Sequence, residues 1–335
     1  MSGIGADSHC AERSRSKVSS HTGLGSVCAI SFVRRLKSTV NRVSSLRDCS
    51  TERSCRMPYY IFRLCNMNKK VKLTIALIIF TVNCYSSQPK EIPELKKVFD
   101  KHKVDGSILI YHQNENRYMG YNLERCNIAF CPASTFKIPN TLIALESGVA
   151  TTETVFTWNG EKRTFAAWEK DMTIKDAFKE SAVPVYQEIA RRIRVDKMKY
   201  YTQLFHYGNL DIHAENIDKF WLEGKSDITQ YQQVYFLQKL YNLQLPVSDH
   251  AMKLTKELML YENKGNYKIS GKTGWAVRQN ESVTWFVGYV ETDNDVYIFA
   301  TNVAPNKDTD LNTFGQVRIE LTKEIFKELK MITDN

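Results

Sequence analysis

The chain has 335 residues, 43% hydrophobic and 25% charged, with fifteen Gly and eight Pro; that suffices for a sizeable core in one large or two ordinary domains, and excludes a collagenous or Pro/Gly-rich disordered chain. The formal net charge of +9 belongs to the N-terminal part: residues 1–66 hold 11 Lys+Arg against 4 Asp+Glu, Lys69, Lys70 and Lys72 follow, and residues 84–335 carry 32 basic and 33 acidic side chains. A nearly neutral globule gives no electrostatic case for nucleic acid, and no apolar run reaches transmembrane length.

Residues 1–66 are rich in Ser and Arg, lack sustained periodicity, and contain Cys10, Cys28, Cys49, Cys55 and Cys65. They read as translated upstream sequence, with a transit-peptide-like leader as the alternative. Met67-Asn-Lys-Lys-Val-Lys, the apolar run Leu73 to Val82 and Asn83-Cys-Tyr-Ser-Ser have the basic start, short apolar centre and small residues of a bacterial export signal. Cleavage after Ser86 ranks ahead of lipidation at Cys84, because Asn83 is a poor residue before a lipidated cysteine. The domain plan is therefore 1–66 extension, 67–86 signal peptide and 87–335 a single globule exported to the periplasm, with no stable membrane span.

Within that globule Ser107-Ile-Leu-Ile-Tyr and Arg117-Tyr-Met-Gly-Tyr predict two strands joined by the turn Gln113-Asn-Glu-Asn. Ser134 to Leu145 has helical spacing of apolar residues, and Pro132 suits its start. Helix-like stretches dominate from Thr173 to about Tyr261, including Lys175–Ala182, Tyr186–Arg194 and Gln230–Leu243. Strands return at Tyr267–Lys272, Val283–Val290 and Val296–Thr301, with a short turn at Thr292-Asp-Asn, and an amphipathic helix from about Gln316 to Met331 closes the chain. The order implies an α/β (α+β) fold: an antiparallel sheet flanked by helices (about 90–145 and 263–333) with an inserted all-helical lobe (about 146–262). Cys126 and Cys131, the two cysteines of the globule, allow either a small disulfide or a pair of free thiols.

Ser134-Thr-Phe-Lys137 places a hydroxyl and an amine on one face of a helix start. A serine there has its own backbone N–H near any oxyanion it creates, and a neutral lysine one turn on can take its proton. The bare pattern is weak, since it also occurs at Ser14/Lys17 and Ser87/Lys90. Downstream, however, come Ser181-Ala-Val183, Tyr207-Gly-Asn209 and Lys272-Thr-Gly274, the last at the end of a predicted strand. A given tripeptide of that kind is expected about 0.1 times or fewer in such a chain from ordinary residue usage.

From about residue 90 to 333 the sequence resembles the class D, or oxacillin-hydrolysing, serine β-lactamases. The likeness lies in Pro132-Ala-Ser-Thr-Phe-Lys-Ile-Pro-Asn, Ser181-Ala-Val-Pro-Val-Tyr-Gln, Tyr207-Gly-Asn, Ile217-Asp-Lys-Phe-Trp-Leu and Lys272-Thr-Gly. A Ser-Asp-Asn element, a class A glutamate loop and a His-x-His-x-Asp metal cluster are not evident, which disfavours the other lactamase chemistries and a metal cofactor. The resemblance implies that Ser134 is the acylated nucleophile and that Lys137, modified by carbon dioxide to N6-carboxylysine, is the general base; CO2 or bicarbonate is the sole co-reactant. It implies that Trp221 donates its indole N–H to that group, that Val183 and Leu222 cover it, and that Ser181 and Lys272 relay a proton to the lactam nitrogen. Thr273 and Arg318 would hold the substrate carboxylate, Gly274 and Trp275 would line the site with the Trp275 N–H completing the oxyanion hole, and Tyr207 would shape the site from the helical lobe. The expected partner is a small-molecule β-lactam, the outcome antibiotic resistance, and the assembly a monomer or homodimer. A β-lactam sensor or a transpeptidase-like penicillin-binding domain, acylated but not turned over, is the alternative.

Overall fold

The computed structural model describes residues 88–278 and 281–333; the expected extension, signal peptide and Cys84 lie outside the described residues. The chain enters through β1 (Lys90–Glu91) and the short helix α1 (Lys96–Lys101), then forms the hairpin β2 (Val104–His112) and β3 (Arg117–Tyr121). Helix α2 (Lys137–Glu146) follows, and the lobe beyond it holds β4 (Val155–Phe156), β5 (Met172–Thr173), α3 (Ile174–Lys179), α4 (Val183–Ile193) and α5 (Val195–Leu204). Then come α6 (Gln230–Tyr241), α7 (Asp249–Leu258), β6 (Leu260–Asn263), β7 (Tyr267–Arg278), β8 (Glu281–Thr292), β9 (Val296–Pro305) and α8 (Phe314–Glu328).

Seven strands form one sheet in the order β1-β3-β2-β9-β8-β7-β6. The antiparallel expectation holds for every pair except the edge, where β1 runs parallel to β3 over two residues. The interior strand β8 is buried along Val283 to Val290 because both faces are covered, so its sequence reads as an apolar run broken only by Thr284 and Gly288. One face carries Ile108, Ile110, Phe286 and Phe299 against α1 and α8; the other carries Leu109, Trp285, Val287 and Ala300, whose core continues into the helical lobe.

Four expectations need correction. The inserted lobe is not all-helical: β4 and β5 pair antiparallel through Val155↔Thr173 and Phe156↔Met172, too briefly to leave an alternating pattern. Helix α6, expected within that lobe, lies on the sheet, where buried Gln230 donates to the carbonyls of Ser107 and Ala300. The helix expected over Lys175–Ala182 stops at Lys179, and Ser181 takes a left-handed φ of 55° before α4 begins. Finally, Lys272-Thr-Gly274 does not end a strand but sits in the middle of β7, paired with Val287, Phe286 and Trp285.

The helix starts follow local chemistry. Thr173 and Thr229 make reciprocal capping boxes with Asp176 and Gln232, and Ser248 caps α7 through the N–H of Ala251. Pro139 is tolerated in the first turn of α2, where its missing N–H would have no intrahelical acceptor. Cys126 and Cys131 are both buried free thiols.

Candidate active site

Ser134 lies in a 3-10 turn, Ala133–Phe136, with the α-helix proper beginning at Lys137. Ala133 enters the turn with φ of 50°, a left-handed conformation that costs a non-glycine residue about 1–2 kcal/mol. Such strain persists only where neighbours over-determine the backbone. Two supply that restraint: Thr135 donates its hydroxyl to the Pro132 carbonyl at 2.6 Å, and β7 packs against the turn at Gly274. A Cβ at Gly274 would stand 3.1 Å from Thr135 Cγ2 and 3.2 Å from the Pro132 carbonyl oxygen, so glycine is what lets the strand approach.

Lys137 is fully buried, and its Nζ donates to Ser134 Oγ at 3.0 Å. Burial first, and then the charge of Lys272, hold its pKa well below the usual lysine value. A neutral amine at hydrogen-bond distance from a hydroxyl is a nucleophile paired to its base. The Nζ also lies 5.1 Å from the ring centroid of buried Tyr186. Trp221 is wholly buried, stacked on Phe136 (5.5 Å, 22°) and edge-on to Phe220 (5.0 Å, 85°); its indole Nε1 has no acceptor. An orphaned buried donor costs about 1–3 kcal/mol, so its retention calls for an acceptor not supplied by the described residues.

A cleft of about 550 Å3 opens over this turn, and Ser134, Ser181, Val183, Leu222, Thr273, Gly274, Trp275 and Arg318 of the expected site all border it. Lys272 lies beneath, buried, its ammonium pulled down to about pKa 7 by burial and by the Arg318 charge. The expected Ser181–Lys272 pair is not joined by a hydrogen bond: Lys272 Nζ donates instead to the Thr273 carbonyl at 3.2 Å and Thr273 Oγ1 at 3.4 Å. It also stands 5.8 Å from the ring of Phe178, whose carbonyl receives the Ser181 N–H. Burial lowers the Arg318 guanidinium to about 10, and its Nε and Nη1 have no partner, which leaves donors free for an anion in the cleft. Trp275 is 45% exposed at the rim, and its indole donates to Ser282 Oγ at 2.8 Å. Tyr207 does not line the cleft; it is buried behind the turn, edge-on to Phe136 at 5.7 Å.

Sequence reasoning missed several neighbours. Phe165, Ala167 and Trp168 form one wall from a single 3-10 turn, Ala166–Trp168, and the residue ahead of it, too short to leave a periodicity, and the Trp168 indole is tied to the Glu180 carbonyl at 3.0 Å. Cys131 packs against the Trp221 loop, its thiol 3.2 Å from the Trp221 carbonyl. Two larger hollows, of about 820 Å3 beside Lys101 and Glu324 and about 620 Å3 beside Lys199 and Gly208, bring no hydroxyl to a depressed lysine. Among the described residues no cluster of His, Cys, Asp and Glu could hold a metal ion, and no helix is long and apolar enough to cross a membrane.

Residues 102–329 match the penicillin binding protein transpeptidase domain family. The chain is 42% identical over 235 residues to β-lactamase OXA-48 of Klebsiella pneumoniae, covering 70% of this chain and 87% of that protein. It is 33% identical over 276 residues to the probable β-lactamase YbxI of Bacillus subtilis, covering 80% of this chain and all of the relative. Among solved structures it superposes on the class D β-lactamase YbXI from Nostoc with a TM-score of 0.67 at 42% identity, covering 70% of this chain and 98% of that one. The class D enzyme of Sebaldella termitidis gives a TM-score of 0.70 at 34% identity over 74% of this chain and 100% of its own.

Proposed function

Given that the chain belongs to the class D β-lactamases, serine hydrolases within the penicillin-binding-protein transpeptidase family, we propose that it hydrolyses the cyclic amide of penicillin-type antibiotics through an ester on Ser134 and so confers resistance to them. The observation that carries this reading is the fully buried Lys137 with its Nζ 3.0 Å from Ser134 Oγ.

Ser134 Oγ attacks the lactam carbonyl while Lys137 accepts its proton, and the carbonyl oxygen takes up negative charge between the backbone N–H groups of Ser134 and Trp275. The C–N bond then breaks and the nitrogen leaves protonated, the proton coming from Lys272 by way of Ser181 once Lys272 Nζ turns from Thr273, its partner in the unliganded cleft, toward the Ser181 hydroxyl. Lys137 then hands the proton it accepted back to the deprotonated Lys272, and in its base form takes a proton from a water that attacks the ester; that proton passes to Ser134 Oγ as the acyl C–O bond breaks, which restores the hydroxyl and releases the ring-opened acid. Arg318 and Thr273 hold the substrate carboxylate, which suits the unpartnered guanidinium nitrogens. Val183 and Leu222 flank the cleft and limit water near Lys137.

The residues present fit a carbamate on Lys137. Only a neutral amine adds to carbon dioxide, and burial provides it; the adduct, formed with loss of one proton, would bring the acceptor that Trp221 Nε1 lacks. When present it would supply an anionic, carboxylate-like base for both halves of the reaction. Export to the periplasm through the signal at 67–86, with the mature chain beginning near residue 87, belongs to the same proposal.

Intact-mass analysis with a penicillin tests it. Wild type should show a transient adduct and continuous release of hydrolysed product, and Ser134→Ala should show neither while remaining folded. Labelling of Ser134→Ala, or a wild-type adduct that persists for hours, would overturn the hydrolase reading, the latter in favour of a sensor or transpeptidase.

A further inference from the structure

Behind the Ser134 turn lies a closed set of polar groups that none of the assigned roles uses. Thr135, Tyr207 and Gln233 are all buried. Thr135 Oγ1 donates to the Pro132 carbonyl at 2.6 Å and accepts from Gln233 Nε2 at 2.8 Å; Tyr207 donates its hydroxyl to Gln233 Oε1 at 3.3 Å. The hydroxyls of Thr135 and Tyr207 stand 3.4 Å apart. Gln233 projects from α6, which lies on the sheet, so this side chain links the sheet-bound helix to the turn that carries the nucleophile. On the far side of Thr135 its methyl group meets β7 at Gly274, one residue before Trp275.

We propose that Gln233 is a positioning residue for the reaction: by holding Thr135 between itself and Gly274 it fixes the left-handed Ala133 turn and sets the spacing of the Ser134 and Trp275 N–H groups. The proposal rests on the acyl-enzyme reading above. Three facts converge on it. The turn is strained at Ala133 and needs an external restraint. Thr135, whose hydroxyl closes the turn, has one remaining strong partner, the Gln233 amide. The network is fully desolvated, so each bond is costly to lose and none can be replaced by bulk water. Tyr207 thereby acquires a role at one remove, orienting the Gln233 amide so that its N–H side faces Thr135.

Gln233→Met removes both amide functions at similar length, and Gln233→Glu is the milder variant. A buried glutamic acid can donate its O–H to Thr135 Oγ1 and accept from Tyr207, whereas the ionised form cannot donate. The measurement is the single-turnover acylation rate of the full chain with a chromogenic penicillin across pH, alongside the bicarbonate concentration for half-maximal activity and the melting temperature. Gln233→Met should acylate about ten- to a hundredfold more slowly, in line with the cost of misplacing reacting groups by up to about 1 Å, with unchanged bicarbonate dependence. Gln233→Glu should acylate near the wild-type rate at low pH and lose that rate as pH rises through the raised pKa of a buried carboxyl, a limb absent from wild type. Thr135→Val, which deletes the hydroxyl alone, should slow acylation like Gln233→Met, and the double variant should be no slower. Folded Gln233→Glu without the pH limb, or folded Gln233→Met acylating at the wild-type rate, would overturn the proposal. Wild type that is never acylated at Ser134 would instead refute the functional reading from which it starts.

Discussion

Replacing Trp221 by Phe deletes one N–H while leaving an aromatic ring to stack on Phe136 and meet Phe220. In carbon-dioxide-free buffer that N–H is a buried donor without an acceptor, a burden of about 1–3 kcal/mol, so Trp221→Phe should be no less stable than wild type beyond the cost of its smaller volume. In bicarbonate the sign reverses. A hydrogen bond to a charged acceptor contributes about 1.5–3 kcal/mol, and its loss should raise the bicarbonate concentration for half-maximal hydrolysis about ten- to a hundredfold. The assay is penicillin hydrolysis after stripping and stepwise return of bicarbonate, paired with melting curves and a carbon-13 spectrum in labelled bicarbonate. Because a ligand that binds only the folded state stabilises it, bicarbonate should raise the melting temperature of wild type more than that of the variant. Identical half-saturation and identical melting shifts would show that the indole faces some other acceptor, and absence of a carbamate signal from active wild type would remove the modified base altogether.

Lys272 titrates near 7 in the folded protein, against 10.5 unperturbed. The unfolded chain therefore holds the extra proton between those values, and this group makes stability rise with pH across that window. Lys272→Met should flatten the rise in melting temperature between pH 7 and 9.5, by comparison with wild type; an unchanged slope would contradict the buried-ammonium account. Arg318→Gln should lower kcat/KM for a penicillin about ten- to a hundredfold but leave its carboxylate methyl ester unaffected, because the missing interaction is a charge-assisted hydrogen bond; equal losses on acid and ester would refute the assignment. A chain beginning at residue 88 should show two titratable thiols only after denaturation, since Cys126 and Cys131 are free and buried and Cys126 is pushed up to about 12. A disulfide would yield none.

The chemistry-bearing residues were legible where spacing dictates geometry. Ser134 and Lys137 are one turn apart, and any helical or 3-10 course there brings their side chains together. The strands of the central sheet announced themselves as apolar runs because both faces are covered. What escaped notice depends on tertiary packing. Lys272-Thr-Gly interrupts the apolar pattern of β7, yet the strand continues to Arg278 because β8 pairs with it throughout. Ser181 sits at a left-handed break that no propensity demands of a serine. In the run Gln230-Tyr-Gln-Gln233, nothing local distinguishes the glutamine that bonds the sheet carbonyls from the one that bonds Thr135, or either from Gln232, which caps the helix. The neighbours Phe165 and Trp168 come from a three-residue 3-10 turn and its cap, too short for periodicity to reach. The fate of the two cysteines depended on where each side chain points, which their spacing left open.

The strand order has a consequence for how this domain comes into being. Strand β2 lies between β3 and β9, so Val104 is paired with Pro305 and His112 with Tyr297. Nearly the whole domain must emerge before the sheet's middle seam can close, and the N-terminal hairpin has no partner on its inner edge until then. Folds with such distant pairings form slowly, because a long loop must be closed before its contacts are gained. The nucleophile turn follows that hairpin in sequence but is clamped by β7 and α6, which come much later. Catalytic competence therefore arrives with the last strands rather than growing along the chain, and an internal deletion of β9 that keeps every site residue, Arg318 of α8 included, should leave no partially active enzyme.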